Sequence, residues 1–138
     1  MILLDTNVIS ELMKATPQPR VVTWLASQKA LDCFIASITE AELRYGIELM
    51  PAGQRQQQFQ IALAEMLRVD FSGRILPFDS AAANAFATLA AERRRAGKPI
   101  SQFDAQIAAI ARSKGAAVAT RNVTDFEGCG ITVIDPWK

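Results

Sequence analysis

Met1-Ile2-Leu3-Leu4-Asp5-Thr6-Asn7 begins the chain with four apolar residues that do not alternate with polar ones, stopped abruptly by an acid. The run is too short for an amphipathic helix and apolar at every position, the pattern of a strand buried on both faces in a parallel sheet. Four more short runs follow, at Cys33 to Ala36, Arg74 to Leu76 with Pro77 behind it, Ala116 to Ala119, and Ile131 to Ile134. Between them apolar residues recur at helical spacing: Leu43, Ile47 and Met50; Phe59, Leu63, Met66 and Leu67; Phe86, Leu89 and Ala90; Phe103, Ile107, Ile110 and Ala111. Arg20 to Lys29, after Pro17 and Pro19, reads as a further helix through Val21, Trp24 and Leu25. Strands alternating with helices predict an α/β sandwich around a mostly parallel sheet of five strands.

Half of the 138 residues are hydrophobic, which suits one compact domain over 1–138. No repeat and no Gly-, Pro- or Ser-rich linker divides it. Gln54 to Gln60 reads as a solvated helix face, and the alanine-dense Ala81 to Ala91 as a helix suited to close packing. Fifteen basic against fourteen acidic residues leave a formal charge of +1, so no global field announces a polyanionic partner. The absence of histidine has sharper consequences. It removes the commonest general base, the commonest nitrogen ligand for zinc, and every Ser-His or Cys-His nucleophile. Cys33 and Cys129 lack metal-ligand spacing, and the first apolar run is far shorter than a signal peptide, so a reduced cytoplasmic protein that makes no use of a membrane is expected.

In an open α/β sheet the functional crevice lies beyond the carboxyl ends of the strands. Asp5 closes the first strand. Glu42, seven residues beyond Ile35, is expected in the first turn of the next helix; Asp104 opens the helix leading to the fourth strand; Asn122 and Asp125 follow that strand. Each has a purely structural explanation: Thr39-Glu40-Ala41-Glu42 fits a capping box, Ser101 to Asp104 a looser one, and Asp5 or Asn7 a first-helix cap. The set is different. Carboxylates gathered at one edge repel each other unless a cation neutralises them, and hard oxygen ligands without His or Cys point to Mg²⁺ or Mn²⁺. Such an ion activates water and stabilises charge on a scissile phosphate, so phosphodiester hydrolysis needs no protein nucleophile.

Asp5-Thr6-Asn7 after a short strand, Ser37-Ile38-Thr39-Glu40-Ala41-Glu42-Leu43 with Gly46, Phe103-Asp104-Ala105-Gln106-Ile107-Ala108-Ala109, and Thr120-Arg121-Asn122-Val123-Thr124-Asp125-Phe126 followed by Ile134-Asp135-Pro136-Trp137 together resemble the PIN-domain ribonucleases, specifically the VapC- and FitB-like toxins of type II toxin-antitoxin pairs. Any one motif is weak; the ordered set is specific. The resemblance implies a three-layer α/β/α domain, Mg²⁺- or Mn²⁺-dependent cleavage of RNA, a cognate antitoxin partner and a homodimer. Carried over by position, Asp5 and Asp104 are the first metal ligands and Glu42 the third acid. Thr6, Asn7 and Thr120 are supporting polar groups. Asn122 and Asp125 compete for the fourth place; Asp125 is preferred as the fourth charge, while Asn122 can still bind a water or a metal oxygen.

Other features carry milder expectations. Arg93-Arg94-Arg95 with Lys98 reads as a solvated helix end, with phosphate contact the functional alternative. Arg44, Arg112 and Arg121 are weaker candidates for the same phosphate contact and read first as ordinary surface charges. Leu12, Met13, Trp24, Leu49 and Met50 read as core, or as the wall of a groove for an antitoxin helix. Two rival functions are a phosphatase with Asp5 as covalent nucleophile, disfavoured because Asn7 stands where such enzymes place a second aspartate, and a non-catalytic PIN-like module that binds RNA or protein.

Overall fold

The computed structural model describes all 138 residues. Five parallel strands form the sheet: β1 (Ile2–Leu4), β2 (Cys33–Ala36), β3 (Ile75–Leu76), β4 (Ala117–Ala119) and β5 (Val133–Ile134), in the order β3-β2-β1-β4-β5. Six helices surround it: α1 (Thr6–Leu12), α2 (Pro19–Ala26), α3 (Ser37–Glu48), α4 (Gln54–Glu65), α5 (Ser80–Arg95) and α6 (Gln102–Lys114). Each of the five sequence-predicted strands is present, trimmed by up to two residues at its ends.

Successive strand residues point to opposite faces, so the apolar runs feed two cores. Leu3, Ala36 and Val118 join Leu89 of α5 and the fully buried stretch Ile107–Ala111 of α6. Leu4, Ile35 and Ala119 face the other way, against Val8, Val21, Leu43 and Leu63 of α1 to α4. The result is a three-layer α/β/α sandwich, with α5 and α6 on one face and α1 to α4 on the other. Burial on both faces explains why the strands read as unbroken apolar runs.

Helix boundaries refine several expectations. The α2 helix ends at Ala26, short of Lys29. β2 runs into α3 without a loop, Ala36 serving as the cap residue with no side-chain hydrogen bond. Thr39 is therefore not a capping residue: it is fully buried, three residues into the helix, and Glu42 lies in the second turn, not the first. Ser101 does cap α6, its hydroxyl accepting from the Asp104 N–H at 3.3 Å. That helix ends at Gly115, whose φ of 66° suits a residue without Cβ. The glutamine-rich stretch is largely exposed, as expected of a solvated face. Trp24, Leu12 and Met13 pack against the second core, whereas Leu49 is exposed.

Candidate metal centre at the strand-exit edge

The chain winds outward from β1 in both directions, to β2 and β3 on one side and to β4 and β5 on the other. The switch between β1 and β4 opens a crevice at their carboxyl ends, and Asp5 and Thr120 stand on its two sides. The Asp5 N–H donates to the Ala119 carbonyl at 2.9 Å, prolonging the β1–β4 ladder by one residue. Beyond it the Asp5 carboxylate is held on both oxygens: Oδ1 accepts from the Thr6 N–H at 2.8 Å, and Oδ2 from the Thr120 hydroxyl at 2.7 Å and the Asn7 amide at 3.1 Å. The same Thr120 hydroxyl accepts from Asn7 Nδ2 and from the Asn122 N–H. Thr6 reaches the other way, its hydroxyl donating to Glu42 Oε1 at 2.8 Å. One short segment thus aims its own acid and steadies a second, contributed by α3.

Asp5, Glu42 and Asp104 line a single open cleft of about 430 Å³ together with Thr6, Asn7 and Asn122. All three carboxyls are pushed above their usual range, and burial is the main cause in each. Asp5 rises to about 6, despite the Thr120 and Thr6 hydrogen bonds, with Asp104 and Glu42 adding repulsion. Burial raises Glu42, opposed by the Thr6 hydroxyl and reinforced by Asp104. Burial likewise raises Asp104, opposed by Ser101 and reinforced by Asp125. Half-buried anions that repel one another form a site that favours a cation.

Its donors are all oxygen, which fits Mg²⁺ or Mn²⁺. No three acids converge closely enough to ligate one ion unaided. An ion here would keep water or substrate oxygens in its shell, as Mg²⁺ commonly does with one or two carboxylates.

The candidates for the fourth position separate. Asn122 lies on the cleft wall; Asp125 does not, and is felt there only through its charge on Asp104. The segment carrying both is held by Arg93. This residue corrects the expectation of a solvated basic stretch: Arg94, Arg95 and Lys98 are exposed, but Arg93 is only 8% exposed. Its guanidinium donates to the main-chain carbonyls of Lys98, Asp125 and Glu127. It thereby ties the end of α5 to the loop before α6 and to the turn after β4.

Sequence reasoning missed part of the wall. Ser10, Glu11 and Lys14 line the cleft, and Glu11 is buried, accepting from Lys14 Nζ and from the Gln18 N–H, both at 3.0 Å. Asn7, Ser10 and Glu11 are spaced i, i+3 and i+4 along α1, a polar stripe on a helix whose opposite side is core, and Lys14 follows just beyond its end; that spacing was the available signal.

Comparison with known proteins agrees with this geometry. The family model described as the PIN domain matches residues 2–127. A VapC ribonuclease of Sinorhizobium fredii is 44% identical over 138 residues, covering 100% of this chain and 99% of its own length. The toxin FitB of Neisseria gonorrhoeae is 40% identical over 137 residues, covering 99% of each chain. Among solved structures, that of FitAB bound to a DNA fragment superposes with a TM-score of 0.94 at 38% identity, covering 100% of this chain and 96% of the other. A five-stranded parallel sheet, an acidic cleft at its switch point and full-length similarity to such relatives agree: this chain belongs to the PIN-domain family.

Proposed function

We propose that this protein is a Mg²⁺- or Mn²⁺-dependent endoribonuclease, the toxin of a bacterial type II toxin-antitoxin pair. The observation that carries the reading is the convergence of Asp5, Glu42 and Asp104 on one open cleft, each carboxyl held above its ordinary range. The names of the relatives, a VapC ribonuclease and a FitB toxin, support it. Asp5 and Asp104 would hold the ion, with Glu42 and either Asn122 or the charge of Asp125 completing the site. When bound, a divalent cation supplies Lewis acidity: it lowers the pKa of water and neutralises charge developing on the phosphate. The chain supplies orientation. Thr120, Asn7 and the Thr6 N–H fix both oxygens of Asp5, and the Thr6 hydroxyl fixes Glu42.

RNA as substrate implies action in the cytoplasm, and no helix is long and apolar enough to cross a membrane. The cognate antitoxin and a second copy of the chain are the protein partners. An apolar groove of about 880 Å³ between α1 and α4, walled by Leu12, Met13, Phe59 and Met66, suits an amphipathic antitoxin helix. A covalent phosphatase reading fares worse, since the residue two positions on is the amide Asn7, where such enzymes place a second aspartate. The test is metal-dependent cleavage of total RNA with mapped ends. Wild type should cleave with Mg²⁺ or Mn²⁺ and stop on chelation, and folded Asp5→Asn should be inert; undiminished cleavage by that variant would sink the assignment.

A further inference from the structure

Three acids in one cleft explain a cation but not how a polyanionic strand comes to rest beside them. Two cations line the cleft. Lys14 is already committed, its ammonium 3.0 Å from the buried Glu11 carboxylate. Arg121 has no carboxylate within ion-pair distance. Its guanidinium lies over the Trp137 ring instead, 5.3 Å from the centroid. Trp137 is the one hydrophobic residue of the cleft wall, half-buried and packed against the core formed by α1 to α4. Both residues are anchored through their main chains: the Arg121 N–H donates to Asn7 Oδ1 at 3.2 Å, and the Trp137 N–H to Asp135 Oδ1 at 2.9 Å. Asn7 also bonds the Asp5 carboxylate, so the arginine is fixed relative to the acid.

We propose that Arg121, held over Trp137, is a stacking platform for an unpaired nucleobase flanking the phosphate that enters the cleft. The proposal rests on the ribonuclease reading. A planar guanidinium on an indole offers a π-surface and a positive charge together, and single-stranded bases stack on aromatic rings and arginine planes alike. A base inside a duplex has no free face to offer. Lysine would keep the charge and lose the plane.

Of the two tryptophans, Trp24 lies on α2, so Trp24→Phe leaves Trp137 as the sole indole reporter. In that background, with Asp5→Asn to prevent cleavage and Mg²⁺ present, Trp137 emission is followed against three probes: a short unpaired RNA, the same strand annealed to its complement, and an abasic ribose-phosphate strand of equal length. Saturable quenching by the unpaired strand is expected, at least about tenfold tighter than by either other probe, and Arg121→Lys should weaken it by about tenfold. In the otherwise wild-type protein, Arg121→Lys should raise KM for unpaired RNA and leave kcat nearly unchanged, while Trp137→Phe retains most of the affinity. A purely structural arginine–tryptophan pair would lower Tm in these variants without separating KM from kcat. Equal affinity for the three probes, or an unchanged KM in Arg121→Lys, overturns the platform. Cleavage by wild type without any response of Trp137 overturns the platform alone and spares the nuclease; absence of both RNA cleavage and RNA binding overturns the two together.

Discussion

Asp5 and Asp79 occupy matching places in the chain. Each stands in extended backbone just before a helix, and each carboxylate accepts a main-chain N–H of that helix, from Thr6 at 2.8 Å and from Ala82 at 3.0 Å. Their titration goes opposite ways. The Ala82 N–H, helped by the Lys114 ammonium 3.7 Å away, holds Asp79 below the usual carboxylate range. Burial, with repulsion from Asp104 and Glu42, lifts Asp5 to about 6. A helix cap ordinarily stabilises the fold through its negative charge. At Asp5 the same local design carries a charge that burial and its neighbours oppose, and that a bound cation would relieve.

The largest expected effect divides these two residues. Asp5→Asn should lower RNA cleavage by at least about a thousandfold, the loss of several kcal/mol of ion-mediated stabilisation, while Asp79→Asn leaves cleavage at wild-type level. Initial rates on one RNA under saturating Mn²⁺ decide it; a strong loss in Asp79→Asn would break the contrast.

The helix that begins at Asp79 returns to the site at Arg93, so removing its far end should couple the two regions. Arg93→Ala strands three carbonyls and should cost about 3 kcal/mol of stability, read by urea unfolding. Arg93→Lys, with a single compact donor head, should recover only part. A neutral Arg93→Ala would mean that the 122–129 loop holds itself.

The pH dependence sharpens the contrast further. With its folded pKa raised from 3.8 to about 6, Asp5 binds its proton more tightly in the native protein than in the unfolded chain. Its contribution is fully present below about pH 4, is lost as pH rises through about 6, and amounts to roughly 3 kcal/mol. Glu42 and Asp104 act in the same direction. The ion-free protein in EDTA should therefore lose Tm from pH 4 to 7. Asp5→Asn should flatten that slope, and Mn²⁺ should restore Tm at neutral pH in wild type more than in the variant. Asp79, held below the usual carboxylate range, titrates beneath this window, so Asp79→Asn should leave the slope between pH 4 and 7 close to wild type.

A smaller effect tests the fourth position. Asn122→Ala, on the cleft wall, should reduce cleavage by about tenfold, the worth of one well-placed polar contact. Asp125→Asn, acting through its charge on Asp104, should change the rate less and lower the pH at which Asp104 ionises. The reverse order of rates would return Asp125 to the site itself.

Much of this was legible beforehand for a definite reason. Strands buried on both faces must be apolar throughout, so β1 and β4 announce themselves, and a polar residue that ends such a run, Asp5 or Thr120, must lie at the sheet edge. Glu42 was legible as an acid near that edge but not in its turn of α3, because a strand that passes directly into a helix leaves no loop from which to count. Arg93 was not legible. Three consecutive arginines look alike, and only the packing of α5 against the 122–129 loop selects the one that is buried.

What the sequence by itself determined is the alternation of elements, the parallel sheet and the identity of the acids, since periodicity and residue chemistry are local properties. What only the tertiary structure decided is which charges share a dielectric environment. Asp5 and Asp79 look interchangeable along the chain, and they differ because the β1–β4 switch point buries the first near two other carboxylates, while the second faces a lysine. The strength of a charge's interactions depends on burial and on neighbours distant in sequence, and for Asp5 those neighbours are 37 and 99 positions away, at Glu42 and Asp104.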